Sequence, residues 1–135
     1  MNNEALHKNF IFNEKIDSES LFSLYADDYA YMEEVFATTL QHFDEDFESV
    51  KAAFNSGNVP DLKRAIHKIK PTFGFVGLPQ VQQICKELEE ECQNDNNIDA
   101  IRDEYKRIVT TLAETKDLIE TEYRRLKEFN TNPNP

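Results

Sequence analysis

Lys63-Arg64-Ala65-Ile66-His67-Lys68-Ile69-Lys70-Pro71-Thr72-Phe73-Gly74-Phe75-Val76-Gly77-Leu78 is the stretch on which the reading of this chain turns. The chain carries 26 Asp and Glu against 15 Lys and Arg, yet no acid occurs from Lys63 through Lys86. Four cations, Lys63, Arg64, Lys68 and Lys70, crowd His67 instead. At about 100° per residue, Leu62, Ile66, Ile69, Phe73 and Val76 fall on one narrow stripe, which predicts a helix with a core-facing seam. His67 lies roughly 140° from the middle of that stripe. Its neighbours one turn away are Lys63, Lys70, Pro71 and Gly74. The imidazole is therefore expected to be exposed, flanked by positive charge and by residues with little side chain to cover it. A helical histidine is ordinarily a satisfied core residue or an inconsequential surface one. The angle excludes the first, and the acid-free window with its small residues argues against the second.

His67-Lys68-Ile69-Lys70, followed by Gly74 and by Val76-Gly77-Leu78, resembles the signature of the histidine phosphotransfer (HPt) domain, the four-helix phosphorelay carrier. That signature is a histidine, a lysine three residues on, small residues on the following turn and a glycine ten residues on; His67, Lys70, Gly74 and Gly77 stand at those places. Cys85-Lys86-Glu87-Leu88-Glu89 is similar to the family's next helix, and the resemblance extends over roughly Ser18 to Leu126. Pro71 departs from it, standing where many members have glycine. Proline has no N–H for the carbonyl four residues earlier, that of His67. A kink or a freed carbonyl is therefore expected under the site.

An exposed imidazole suits the implied chemistry. An ordinary histidine titrates near ~6.5, so a useful fraction is neutral and nucleophilic at neutral pH, and neighbouring lysines favour that form. The resemblance implies that the outer ring nitrogen of His67 accepts a phosphoryl group from a receiver-domain phosphoaspartate and passes it to another receiver. Lys70 would steady the phosphoryl oxygens and Lys63 and Lys68 would add a weaker field. Gly74 would leave room for the partner's loops. The partners implied are receiver domains of response regulators and hybrid histidine kinases. The receiver would bring the aspartate and Mg2+, so the chain is expected to need no cofactor or metal of its own and to be a carrier, not an enzyme. Phe75 and Leu78 point away from the core on the helical wheel, which leaves apolar surface to be covered by the N-terminal arm or by a docked receiver.

The 135 residues predict one domain, and 30% charged with 39% apolar residues, ten Phe and five Tyr, is a folded composition. A formal net charge of -11 argues against nucleic acid and anionic membrane as partners. No apolar run approaches the ~20 residues of a membrane span, and Met1-Asn2-Asn3-Glu4 lacks the regions of a signal peptide. A cytoplasmic, free-standing monomer is the expectation. Cys85 and Cys92, on one helical face, read as buried free thiols.

All three glycines and three of the five prolines lie between Gly57 and Pro79, so the rest should be helix with essentially no strand. Residues 1–16 read as an arm. Asp17 or Ser18 caps a short helix bearing Leu21, Phe22, Leu24 and Tyr25. Asp27 and Asp28 allow a break, after which Met32, Phe36, Leu40, Phe43, Phe47, Val50 and Phe54 make a packing stripe that stops at Asn55-Ser56-Gly57. Asn58-Val59-Pro60-Asp61 starts the His67 helix. Gly77 and Pro79 end it, and a helix from Pro79 to Gln93 follows. After the polar turn Asn94–Asn97, the last helix carries Ile98, Ile101, Tyr105, Ile108, Leu112, Ile119, Tyr123 and Leu126 and ends near Phe129. Its greater length suggests an overhang that could pair with another molecule. Residues 130–135 read as a disordered tail.

The fold expected is all-α: an antiparallel up-down-up-down four-helix bundle over residues 17–129 with a short extra N-terminal helix. Such bundles can hold di-iron sites, but only Glu4-Ala5-Leu6-His7 has the Glu-x-x-His spacing and it lies in the arm. No phosphate loop, hydrolase triad or zinc helix is present in the sequence. The competing reading is a helical adaptor or scaffold without chemistry, in which His67 is incidental.

Overall fold

The computed structural model describes residues 9–132. Five α-helices occur in the order α1 (Ser18–Tyr25), α2 (Tyr29–Asn55), α3 (Val59–Phe75), α4 (Pro79–Asn94) and α5 (Arg102–Thr131), with no strand among the described residues. A 3-10 turn, Ile98–Ile101, leads into α5. α3 packs between α2 and α4, and α5 closes the ring against α2 and α4, giving a four-helix bundle with α1 added at one end.

The helix starts are written in side chains. Asp17 accepts from the Ser20 amide, Asp28 from that of Tyr31 and Asn58 from that of Asp61, at 2.9 to 3.1 Å. Each such cap is worth about 1 kcal/mol, because it satisfies an amide that the helix leaves orphaned. Pro60 and Pro79 sit in first turns, where a missing N–H costs nothing.

The seam of α3 is buried as its spacing predicts: Leu62, Ile66, Ile69, Phe73 and Val76 are all at most 1% exposed. Opposite it α2 contributes Met32, Phe36, Phe43, Val50 and Phe54, with Leu40 and Phe47 partly buried. Each large apolar side chain so removed from water contributes about 1.5–3 kcal/mol.

α3 ends in a Schellman turn. The Leu78 amide donates to the Phe73 carbonyl at 2.8 Å and the Gly77 amide to that of Gly74 at 3.4 Å, with Gly77 at φ +75°. This turn overturns one expectation. Leu78 is 1% exposed, not outward, because the helical wheel stops applying once Gly77 reverses the backbone. Of the kink or freed carbonyl expected at Pro71, no break in the helix accompanies the proline: α3 runs from Val59 to Phe75 with Pro71 inside it. The lost bond is confined to the His67 carbonyl, which has no proline N–H to accept.

Residues 9–16 form a strap across the bundle. Phe10 and Ile16 are buried, and the Phe10 ring meets those of Phe12 and Phe129 edge-on at 4.7 and 5.5 Å. The Asn13 amide donates to Glu122 Oε1 at 2.6 Å, while Arg125 donates to Glu122 Oε2 at 2.6 Å and to the Ile11 carbonyl at 2.8 Å. The end of α5 is thus no free overhang. It runs to Thr131, beyond the expected stop, because the Asn130 amide donates to the Tyr29 carbonyl and to Glu33, both at 2.9 Å. Glu4-Ala5-Leu6-His7 and the last residues of the expected tail, 133–135, lie outside the described residues. Among the described residues no helix is long and apolar enough to cross a membrane.

Candidate functional site

α3 presents His67 on its outer face, with 71% of the side chain exposed. The same periodicity that buries Ile66 and Ile69 turns His67 and Lys68 out of the core. The cations around the ring are all engaged. Lys63 hydrogen-bonds to Gln93 of α4 and Arg64 pairs with Asp61 one turn back. Lys68 reaches across to Asp46 of α2 at 3.3 Å. Lys70, only 22% exposed, lies 2.5 Å from Oε1 of Glu89 on α4.

The other oxygen of that carboxylate, Glu89 Oε2, is 2.8 Å from His67 Nδ1. The acid-free window therefore holds along the chain but not in space, since α4 returns a carboxylate to the histidine. Glu89 is the residue that the sequence reading lacks. Its signal was weak: the α4 seam of Val81, Cys85, Leu88 and Cys92 places Glu89 beside the buried stripe, but nothing local names its partner on α3. Burial opposes ionisation of Glu89, but the hydrogen bonds from Lys70 and His67 and their charges outweigh it, holding the carboxyl below the usual glutamate range.

A carboxylate can only accept, so the His67 nitrogen facing it carries the proton. In the neutral ring Nε2 is then the unprotonated nitrogen, and it points away from Glu89 toward solvent. The ring is thus held by its inner nitrogen with its outer edge exposed, and a cation, Lys70, is paired to the same carboxylate.

The small residues have other neighbours. Pro71 is exposed one turn beyond His67. A Cβ on Gly74 would meet the Gln82 side-chain amide at 3.2 Å, so part of the space over Gly74 belongs to α4. Gly77 shapes the turn and not the site. Phe75 is 53% exposed and the strap leaves it uncovered. It lies at the edge of a groove of about 490 Å3 between α1, α2 and α3, with Leu24, Tyr31, Val35 and Thr72 in the walls. The Tyr25 hydroxyl donates to the Phe75 carbonyl at 2.9 Å and fixes α1 as one wall.

Among the described residues, no cluster of three or more His, Cys, Asp or Glu side chains could hold a metal ion. Both thiols are buried and free.

The family model of the Hpt domain matches residues 34–128, which span α2 through α5 and include His67, Lys70 and Glu89. The chain belongs to the Hpt domain family. It is a histidine phosphotransfer carrier of two-component phosphorelays, a class whose members interact with receiver domains. Two solved structures share its fold. The HPT domain of an Hpt sensor hybrid histidine kinase from Shewanella aligns with TM-score 0.72 at 14% identity, covering 82% of this chain and 95% of that one. Histidine-containing phosphotransfer protein B from Pseudomonas aeruginosa PAO1 aligns with TM-score 0.70 at 21% identity, covering 83% and 96%. At these identities the likeness is one of fold. No curated protein matches the chain.

Proposed function

We propose that His67 is the phosphoacceptor of this Hpt domain, taking a phosphoryl group from a receiver phosphoaspartate on Nε2 and handing it to a second receiver. The observation that carries this reading is the pairing of His67 Nδ1 with Glu89 at 2.8 Å on an otherwise exposed ring. It commits the proton to the inner nitrogen and leaves the outer lone pair free to attack in line.

In the forward step Nε2 forms a bond to phosphorus as the P–O bond to the receiver's aspartate breaks, and the electron pair leaves on the aspartate oxygen. Return is the reverse, to a different aspartate. Lys70 turns its ammonium from Glu89 toward the phosphoryl oxygens as charge arrives. Lys63 and Lys68, each tied to its own partner, supply a weaker field, and Pro71 and Gly74 keep the flank of the ring low. The receiver brings the aspartate and its Mg2+, so the carrier turns over nothing by itself.

Docking uses the apolar groove beside the site. Phe75 is the anchor, with Leu24 and Tyr31 across from it; an exposed aromatic at the mouth of a groove is the kind of side chain that dominates interface energy. Leu78, being buried, supports the turn under Phe75 and takes no part in contact. The carrier acts as a monomer in the cytoplasm on receiver domains of response regulators and hybrid kinases. The test is transfer of label from a phosphorylated receiver to wild type and to His67→Gln, with label on the variant counting against His67.

A further inference from the structure

The groove beside Phe75 ends at a charge that the apolar contact does not use. α2 and α3 run antiparallel, so Phe43 packs on Phe73 at 6.3 Å while Asp46, further along α2, reaches back to Lys68 at 3.3 Å. The walls of the groove change character along its length. At the α1 end they are apolar, with Leu24, Tyr31, Val35 and Phe75. Past Thr72 they close on Ile69 and Asp46, beside Lys68 and so next to His67. The two turns of α3 from Phe75 back to Lys68 put about 10 Å between the apolar mouth and the acid.

That acid is only loosely matched. Among the described residues that line the groove there is no Lys or Arg, while two carboxylates, Glu34 and Asp46, stand in its walls. The Asp46 side chain is 13% exposed and that of Lys68, its partner, is 70% exposed. Their separation of 3.3 Å exceeds the about 2.7–2.9 Å of a close charge-assisted hydrogen bond. A body that fills the groove strips water from Asp46 and must leave it well paired, because a carboxylate buried without a cation opposes binding. A second copy of this chain is a poor occupant, since at a net charge of -11 it brings mostly like charge. A receiver that presents an apolar ridge with a Lys or Arg beside it complements both ends of the groove.

Resting on the reading of His67 as phosphoacceptor and of this groove as the receiver's seat, we infer that Asp46 is a specificity-determining residue. It selects receivers that carry a Lys or Arg about 10 Å along the groove from the contact with Phe75, and it exchanges Lys68 for that cation on docking. Lys68 loses little by the exchange, because it is already mostly in water. The acid fixes the register of the receiver's aspartate against the ring, which an apolar contact alone leaves free to slide.

The experiment takes a receiver domain from the same source that labels wild type. Its Kd is measured by calorimetry at about 50 and about 300 mM salt for wild type, Asp46→Asn and Lys68→Gln. Each protein is also labelled with potassium phosphoramidate, a small donor that needs no groove. Asp46→Asn should bind the receiver roughly tenfold more weakly at low salt, with much of the salt dependence gone, and lose far less in labelling by phosphoramidate. Lys68→Gln removes the same ion pair but leaves the acid, so its affinity for the receiver should equal or exceed that of wild type, a result that stands even if Asp46→Asn folds poorly. Weaker binding by Lys68→Gln would mean that the ion pair, and not the acid, supports docking, which overturns the inference. Equal affinity and equal salt dependence in Asp46→Asn overturn it too, while leaving His67 as acceptor. Self-association of wild type that Phe75→Ala abolishes would make a second copy the occupant and overturn it as well. A wild type that no receiver labels overturns the acceptor reading and this inference with it.

Discussion

The Asp17 amide donates to the Gly77 carbonyl at 2.8 Å, which ties the cap of α1 to the turn that ends α3. A side chain cannot be added to that glycine. Its φ is +75°, and a Cβ would stand 2.9 Å from Ile16 Cγ2, 2.9 Å from Leu21 Cγ and 3.1 Å from the Asp17 carbonyl oxygen. Gly77→Ala should cost about 2–4 kcal/mol, from backbone strain together with overpacking, and lower the Tm by about 8–15 °C. An unchanged melting curve would show that the strap and α1 do not sit on the turn as described.

Phe75 and Leu78 are three residues apart and should behave oppositely. Phe75 is 53% exposed and Leu78 is 1% exposed. Phe75→Ala should leave stability within about 0.5–1 kcal/mol of wild type while weakening receiver binding by roughly tenfold or more. Leu78→Ala should cost about 2–4 kcal/mol in urea unfolding. If Phe75→Ala unfolds the protein, or leaves receiver binding intact, the groove is not the docking surface.

The pairing of Glu89 with Lys70 and His67 gives stability a dependence on acid. Its carboxyl is held below the ordinary glutamate value of about 4.3. With the folded value below the unfolded one, the contribution is fully present above the unfolded pKa and is lost as pH falls through the folded one. The Tm gap between wild type and Glu89→Gln should therefore be widest near neutrality and shrink from about pH 5 downward. A gap that stays constant to about pH 3 would mean that the carboxyl is not held low.

Burial pushes the Cys85 thiol up to about 12, with Glu89 adding to the effect and Lys70 opposing it. Burial likewise pushes Cys92 up to about 11, against Lys63 and with Glu89 and Glu91. Both values lie above the unfolded thiol range, so the stability they bring is present at neutral pH and fades as pH rises through the folded values. The native protein should react negligibly with a disulfide reagent over minutes at neutral pH, and both thiols should titrate in urea. Prompt native labelling would show that α4 opens readily.

Much of this was legible along the chain, and what was not has a physical reason. The periods of α2 and α3 named their buried faces, and Asp17, Asp28, Asn58 and Pro79 marked where helices begin, because seams and caps are local properties. Leu78 was misplaced because a wheel drawn through Gly77 ignores the chain reversal there. Glu89 escaped because its contacts with His67 and Lys70 cross between helices, 22 and 19 residues away along the chain. The arm was legible as an arm, but its seat on the bundle was not, because the buried Phe10 and Ile16 follow no period. The strap is held by α5, where Glu122 accepts from the Asn13 amide and Arg125 donates to the Ile11 carbonyl, more than 100 residues later.

The most direct measurement of the central claim is transfer from a phosphorylated receiver domain to wild type and to His67→Gln, with the label tested for acid lability and alkali stability. The account predicts an acid-labile, alkali-stable label on wild type and none on the variant, with the two proteins melting alike. An equal label on His67→Gln, or a wild type that no receiver from the same source can label, would contradict it.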